Sequence, residues 1–291
     1  MSQPKKRSPF KKIKLELEKS SLIPSGLISE LPHHWKRVGK IGIFELSPNL
    51  QPWKELIGSI YLEHLPELTT IAQKVGVTNT EIRTPNFEYI AGRKSPITLH
   101  KELGAKFWID AFRLTFSSGN HFERLRLTKI CSPYENILDM FACVGNLSIP
   151  IIVHNPTVKV KAIEINPYAF MFLKKNVSIN KITRNYEIYF GDNREIIFSN
   201  FADRILMGYF GIDQKQIHGA LKALNIKKGG IIHAHGLSGK KNSLLQQQLF
   251  KKTIQDNYPF LKIISIQRLI IKTVAAGVFH FVDDIKIGRA N

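Results

Sequence analysis

Only two cysteines, Cys131 and Cys143, occur in the 291 residues. Two thiols cannot build a disulfide framework or a four-ligand zinc cluster. A reducing, cytoplasmic setting is therefore expected, with no metal site. No apolar run reaches the roughly 18 residues of a membrane span, because Lys, His or Gly interrupts each one. The opening stretch MSQPKKRSPFKKIKLELEK is basic and lacks the apolar core of a secretory signal. It reads either as a solvated leader, partly disordered, or as a basic arm that touches RNA phosphates. Acidic residues are scarce too: 23 Asp plus Glu face 42 Lys plus Arg, a formal charge of +19. Such a field draws polyanions, and with no amphipathic anchor in view the expected partner is nucleic acid and not a membrane.

What is present is enough apolar residue, 43%, to fill a core, over a length that suits two domains. The pattern divides into a basic leader over 1–21, a small α+β module over 22–95, a connecting hairpin and helix over 96–130, and a larger domain over 131–291. In the module, Val38 to Phe44 reads as a strand pair, and Trp53, Leu56, Ile57, Ile60 and Tyr61 fall at helical spacing. Gly104 marks a hairpin between runs at 97–99 and 106–110, and a helix is predicted over 123–130. From 134 onward the rhythm is strand, turn, helix. Strands are predicted at 136–142, 158–163, 186–190, 204–207 and 229–234, with helices opening at Asn166-Pro167 and at about 240. Two adjacent extended runs, 263–272 and 277–282, close the chain. This alternation implies a doubly wound, mostly parallel α/β sheet with an antiparallel edge strand.

Ligands of such sheets bind beyond the carboxyl ends of the strands. Asp139, Glu164 and Asp192 stand at predicted strand ends, and Glu164 follows Asp139 by one strand–helix–strand interval. A carboxylate at the second strand can accept both ribose hydroxyls, and one at the third can accept an adenine amino group, with the Asn193 amide beside it. The glycine fingerprint of dinucleotide enzymes is missing, since DMFACVG holds only Gly145. A pyrophosphate cradle is thus not expected, which favours a nucleoside without phosphates. The same acids could instead cap helices or solvate strand ends.

Three other groupings carry two readings each. Ser117, Glu123 and Arg124 offer a hydroxyl, a base and a guanidinium to a cofactor, or are surface polar groups. His233 and His235 share one face of a strand, yet no third ligand lies near them in sequence, so no metal is assigned. Phe87, Tyr89, Arg93 and Lys94 suit base stacking with phosphate contact, or ordinary core packing.

The segments LPHHWKRVGKI, EIRTPNFEYIAG, FSSGNHFERLRL, DMFACVGNLSIP, KAIEINPYAFMFLKKNVSIN, GDNR, FADRILMGYF and TVAAGVFHFVDD carry a specific resemblance. Over about residues 31–283 the chain resembles the tRNA-wybutosine-synthesizing aminocarboxypropyl transferases, relatives of the tRNA guanine-37 N1-methyltransferases. The resemblance implies a class I methyltransferase (Rossmann-like) fold that binds S-adenosyl-L-methionine. It also implies cofactor contacts from Ser117, Arg124, Glu164, Asp192 and Asn193, packing by Phe141 and Gly145, and Glu123 as the general base. Two departures stand out. Cys143 occupies a position that is usually Gly in the family, which narrows the first loop. After the fourth strand the methyltransferases carry Asn-x-Pro, whereas this chain reads Gly208-Tyr209-Phe210, similar to the aminocarboxypropyl transferases. The implied activity is transfer of the 3-amino-3-carboxypropyl group to carbon 7 of 4-demethylwyosine at tRNA position 37, in the anticodon region. N1-methylation of guanine at that position, or RNA binding without turnover, are the alternatives.

Overall fold

The computed structural model describes residues 8–76, 86–239 and 244–290. Contacts divide the chain into two compact units, Met1–His100 with Trp108–Ser118, and Lys101–Phe107 with Gly119–Asn291.

The first unit holds helix α1 (Pro9–Ser20), strands β1 (Lys36–Val38) and β2 (Ile41–Phe44), helix α2 (Lys54–His64), and strands β3 (Thr70–Lys74) and β4 (Phe87–Gly92). The four strands form one sheet in chain order, with β2 and β3 parallel and the outer pairs antiparallel. Here the leader reading needs correction. Residues 9–20 are an ordered helix, begun by Pro9 in its first turn, with Ile13 and Leu17 fully buried among Leu50, Ile57 and Tyr61. The run of lysines dominates the composition, but Phe10, Ile13 and Leu17 recur at the spacing of one helical face. Burying two aliphatic side chains contributes about 2 kcal/mol each, enough to dock a short helix. Phe87 and Tyr89 both pack their rings on Phe112, with centroids 5.6 and 4.5 Å apart, so these aromatics contribute to packing.

Strands β5 (Ile97–Glu102) and β6 (Ala105–Asp110) make the expected hairpin. Leu103 and Gly104, at φ 48° and 72°, form a two-residue turn whose left-handed backbone matches strand twist.

The second unit contains α3 (His121–Ile130), β7 (Asn136–Asp139), α4 (Ser148–His154), β8 (Lys159–Glu164), α5 (Pro167–Ile179), β9 (Tyr186–Phe190) and β10 (Arg204–Met207). It continues with α6 (Gln214–Ala223), β11 (Gly230–Ser238), α7 (Leu245–Asn257), β12 (Leu261–Ala275) and β13 (Val278–Arg289). Its seven-stranded sheet has the order β12-β13-β11-β10-β7-β8-β9, in which β7 to β11 run parallel. The reversed strand is β13, one place in from the edge, and β12 lies outside it. A tight hairpin joins these two, so once β13 pairs with β11 its partner must take the rim. The chain leaves β7 toward β8 and β9, then returns to place β10 on the other side of β7. In open α/β sheets such a reversal, here at the carboxyl ends of β7 and β10, is where ligands bind. Packing on the β10–β11 side is dense, with Leu138, Ile205, Met207, Ile217, Ile232 and Phe250 in one apolar cluster.

Leu17→Ala is expected to lower the stability of the protein by about 2–4 kcal/mol, read as a shift in denaturant midpoint. No shift would mean that α1 is not part of the core.

Candidate active site

At the tip of β7, Asp139 is buried and turns back into the protein. It accepts a 2.6 Å hydrogen bond from the Ser148 hydroxyl and a 3.3 Å one from the Phe141 backbone N–H. Burial pushes its carboxyl up to about 6, against the opposing pull of those donors. Asp139 therefore ties the following loop to α4. The loop then passes Cys143, which holds φ at 50°, and Gly145, at φ 91°. A β-carbon on residue 145 would sit 2.3 Å from Ile149 Cδ1, so only glycine lets the loop turn this tightly into α4. Cys143 adopts the left-handed conformation despite its side chain, at a cost of about 1 kcal/mol that a glycine would avoid. Cys143 N–H donates to Glu164 Oε2 at 2.6 Å.

Glu164 ends β8 and is nearly buried. Its second oxygen accepts the Asn166 N–H at 2.7 Å, and Asn166 in turn caps α5 by accepting from Tyr168 and Ala169. Burial raises the Glu164 pKa, while these backbone donors oppose the rise. On the adjacent strand, Gly191 N–H donates to the Glu164 carbonyl at 3.1 Å, and Asp192 follows directly. The two acids thus stand side by side at neighbouring strand tips. Asp192 remains partly open to solvent and pairs with Arg194 at 3.0 Å, which also holds Asp213 at 2.7 Å. Asn193 points inward: its amide donates to the Met140 carbonyl at 2.7 Å and accepts from Gln216 at 3.1 Å. Its side chain thus fastens the loop after β9, so the amide expected beside the adenine is used internally. Phe141 stacks on Tyr209, with centroids 5.2 Å apart and planes 10° from parallel. Tyr209 belongs to the run after β10 and was visible in the sequence only as a motif letter.

The remaining candidates lie on other elements. Ser117 is half-buried in the first unit, whereas Glu123 and Arg124 lie on α3 of the second. Arg124 is almost fully buried and grips Glu102 with two bonds of 3.0 and 2.8 Å, a partner that sequence spacing did not suggest. Glu123, expected as a base, is completely buried, and both of its oxygens accept from Arg126 at 2.8 Å. Arg126 also holds Asp284, which bonds His233 at 2.6 Å. His233 contacts Arg204, and Arg204 pairs with Glu135 at 2.7 Å. Through Arg126, Glu123 bridges α3 to Asp284 of β13. His233 is accordingly part of an ion-pair chain, and His235 hydrogen-bonds His280 at 2.9 Å.

The strand order defines a class I S-adenosylmethionine-dependent methyltransferase fold. The TRM5/TYW2 methyltransferase domain matches residues 98–257, and the TYW2 N-terminal domain matches residues 16–95. The chain belongs to the TRM5/TYW2 family. It is 37% identical over 274 residues to the tRNA(Phe) (4-demethylwyosine(37)-C(7)) aminocarboxypropyltransferase of Pyrococcus horikoshii, covering 93% of this chain and 95% of that one. The crystal structure of P. horikoshii TYW2 in complex with MeSAdo superposes with a TM-score of 0.82 at 34% identity, covering 96% of this chain and 98% of the other. Wild-type Trm5b from Pyrococcus abyssi gives 0.79 at 26% identity, over 91% and 78%.

The raised Asp139 pKa makes a pH prediction. Between about pH 4 and 6 the folded state binds more proton than the unfolded state at this carboxyl, so stability falls as pH rises through that window, by roughly 3 kcal/mol. Asp139→Asn removes this dependence. Urea unfolding of both proteins at about pH 4.5 and 7 should show the variant gaining on the wild type at the higher pH; a constant difference would refute the assignment.

Proposed function

We propose that this chain moves the 3-amino-3-carboxypropyl group of S-adenosylmethionine to carbon 7 of 4-demethylwyosine at position 37 of tRNA, releasing 5′-methylthioadenosine. The observation that carries this reading is the juxtaposition of Glu164 and Asp192 at the tips of β8 and β9. Two backbone amides orient the Glu164 oxygens, so further lone pairs can accept a vicinal diol. Asp192, at the open end, would accept the adenine amino group. Two carboxylates repel a polyphosphate and favour a cationic nucleoside, which agrees with a loop that has one glycine. The stacked Phe141 and Tyr209 rings offer a π face to a sulfonium cation. The residues present therefore fit S-adenosylmethionine.

When bound, that cofactor supplies three electrophilic carbons on one sulfur, and the one aimed at the nucleophile reacts. The run Gly208-Tyr209-Phe210 lies where the methylating relatives carry Asn-x-Pro, which favours carbon 7 of a tricyclic base over N1 of guanine as acceptor. Glu123 is the proton acceptor that the resemblance offers, and it would have to release Arg126 to serve. The charge of +19 suits a tRNA substrate, and the target base would be splayed from the anticodon loop to reach the crevice.

Incubation with S-adenosylmethionine and tRNA bearing 4-demethylwyosine should yield methylthioadenosine. S-Adenosylhomocysteine would indicate methyl transfer instead, and no nucleoside product would indicate binding without turnover. Glu164→Ala should weaken S-adenosylmethionine binding by about ten- to hundredfold while changing tRNA binding less than about twofold. Equal loss of both would mean that the loop has unfolded.

A further inference from the structure

A run of contacts leads from Glu164, the proposed adenosine end, to a single lysine. Glu164 holds the Cys143 loop, Phe141 of that loop stacks on Tyr209, and the next residue, Phe210, packs edge-on against His280 at 4.8 Å. His280 lies on β13 opposite Lys272 of β12. The ladder is interrupted immediately before this pair, where a bulge between Ile270 and Lys272 inserts an extra residue on β12. Bulges beside sites turn a side chain out of the regular alternation. The Lys272 side chain crosses Gly119: a β-carbon there would lie 2.9 Å from its Cδ and 3.0 Å from its Nζ. Gly119 precedes α3, so the ammonium sits where the helix begins and beside Arg124. Burial, together with the Arg124 charge, holds the lysine below its ordinary range. Arg124 is neutralised by Glu102 through two hydrogen bonds. A half-buried ammonium beside a second cation is a place that an anion stabilises.

We infer that Lys272 anchors the α-carboxylate of the aminocarboxypropyl group at the end of the crevice away from the adenosine. This deepens the function proposed above and rests on its placement of the adenosine at Glu164 and Asp192. The contact is a charge-assisted hydrogen bond in partly desolvated surroundings. With the adenosine fixed at one end and the carboxylate at the other, the chain of carbons between them is held taut past Tyr209 and Phe210. Lys272 thus acts on group selection by positioning, without taking part in bond making.

The test compares two ligands that differ in the aminocarboxypropyl group and, with it, the sulfonium charge. Full-length wild-type protein, Lys272→Met and Lys272→Arg are titrated calorimetrically with S-adenosylmethionine and with 5′-methylthioadenosine, which lacks the aminocarboxypropyl group. Lys272→Met should weaken S-adenosylmethionine by about ten- to hundredfold and leave methylthioadenosine within about twofold, and Lys272→Arg should recover most of the loss. Equal weakening of both ligands would make Lys272 a support of the fold and overturn the inference. Unchanged S-adenosylmethionine affinity overturns it as well; if tRNA binding then weakens, the anion at Lys272 is an RNA phosphate. Failure of the wild-type protein to bind methylthioadenosine would count against the adenosine site itself, and the anchor would fall with it.

Discussion

Much of the second unit is organised by the two backbone amides that hold the Glu164 carboxylate. One comes from Cys143, in the loop after β7, and the other from Asn166, at the cap of α5. A single side chain thereby couples two strand ends, a left-handed loop and a helix start. The arrangement is costly, because a buried carboxylate must be satisfied by donors, and here both oxygens are. It also fixes the direction of the carboxylate within the unit. Asp139 plays the corresponding role one strand over, tied to Ser148 and through it to Tyr186. The neighbouring acids thus both fasten the loop after β7, Asp139 to α4 and Glu164 to the start of α5.

Charge is handled differently beneath α3. Glu123, Arg126, Asp284, His233, Arg204 and Glu135 form a continuous chain of contacts across α3, β13, β11, β10 and the entry to β7. Buried ions are tolerated when each finds an opposite partner, and losing one leaves its neighbour uncompensated. The chain fixes how α3 sits on the sheet, and Arg124 is carried to Glu102 by the same helix. Residues that look like surface charges or like catalytic groups in isolation act together as a brace. Asp283 makes a second brace at the rim, where Arg268 holds it with two bonds of 2.7 Å and lies over the Phe281 ring.

The order of elements in the second unit was legible because each signal is local. Buried strands announce themselves as short apolar runs such as Asn136–Asp139 and Arg204–Met207, and Asn166-Pro167 announces a helix start. Glu164 and Asp192 were legible for the same reason, since a strand end is a sequence position. Helix α4 was expected only as a helix without bounds between the first two strands, and α6 escaped notice. The first is apolar nearly all round, with Ile149, Pro150, Ile151 and Ile152 buried, so it shows no polar face. The second depends on a capping box, in which Asp213 and Gln216 bond each other's backbone, and the sequence shows only the letters.

The sequence by itself determined that the chain folds as alternating strands and helices, that two acids stand at consecutive strand tips, and that its surface is strongly basic. It also determined family membership, because many short motifs in fixed order are improbable by chance. Only the tertiary structure decided which polar groups are spent on internal partners. Asn193 was turned inward by Met140 and Gln216, Glu123 was claimed by Arg126, and Lys272 was brought to Gly119 from more than half the chain away. The reason is physical: spacing along a chain sets which side of a helix or strand a residue occupies, but a hydrogen bond goes to whichever partner packing brings within about 3 Å.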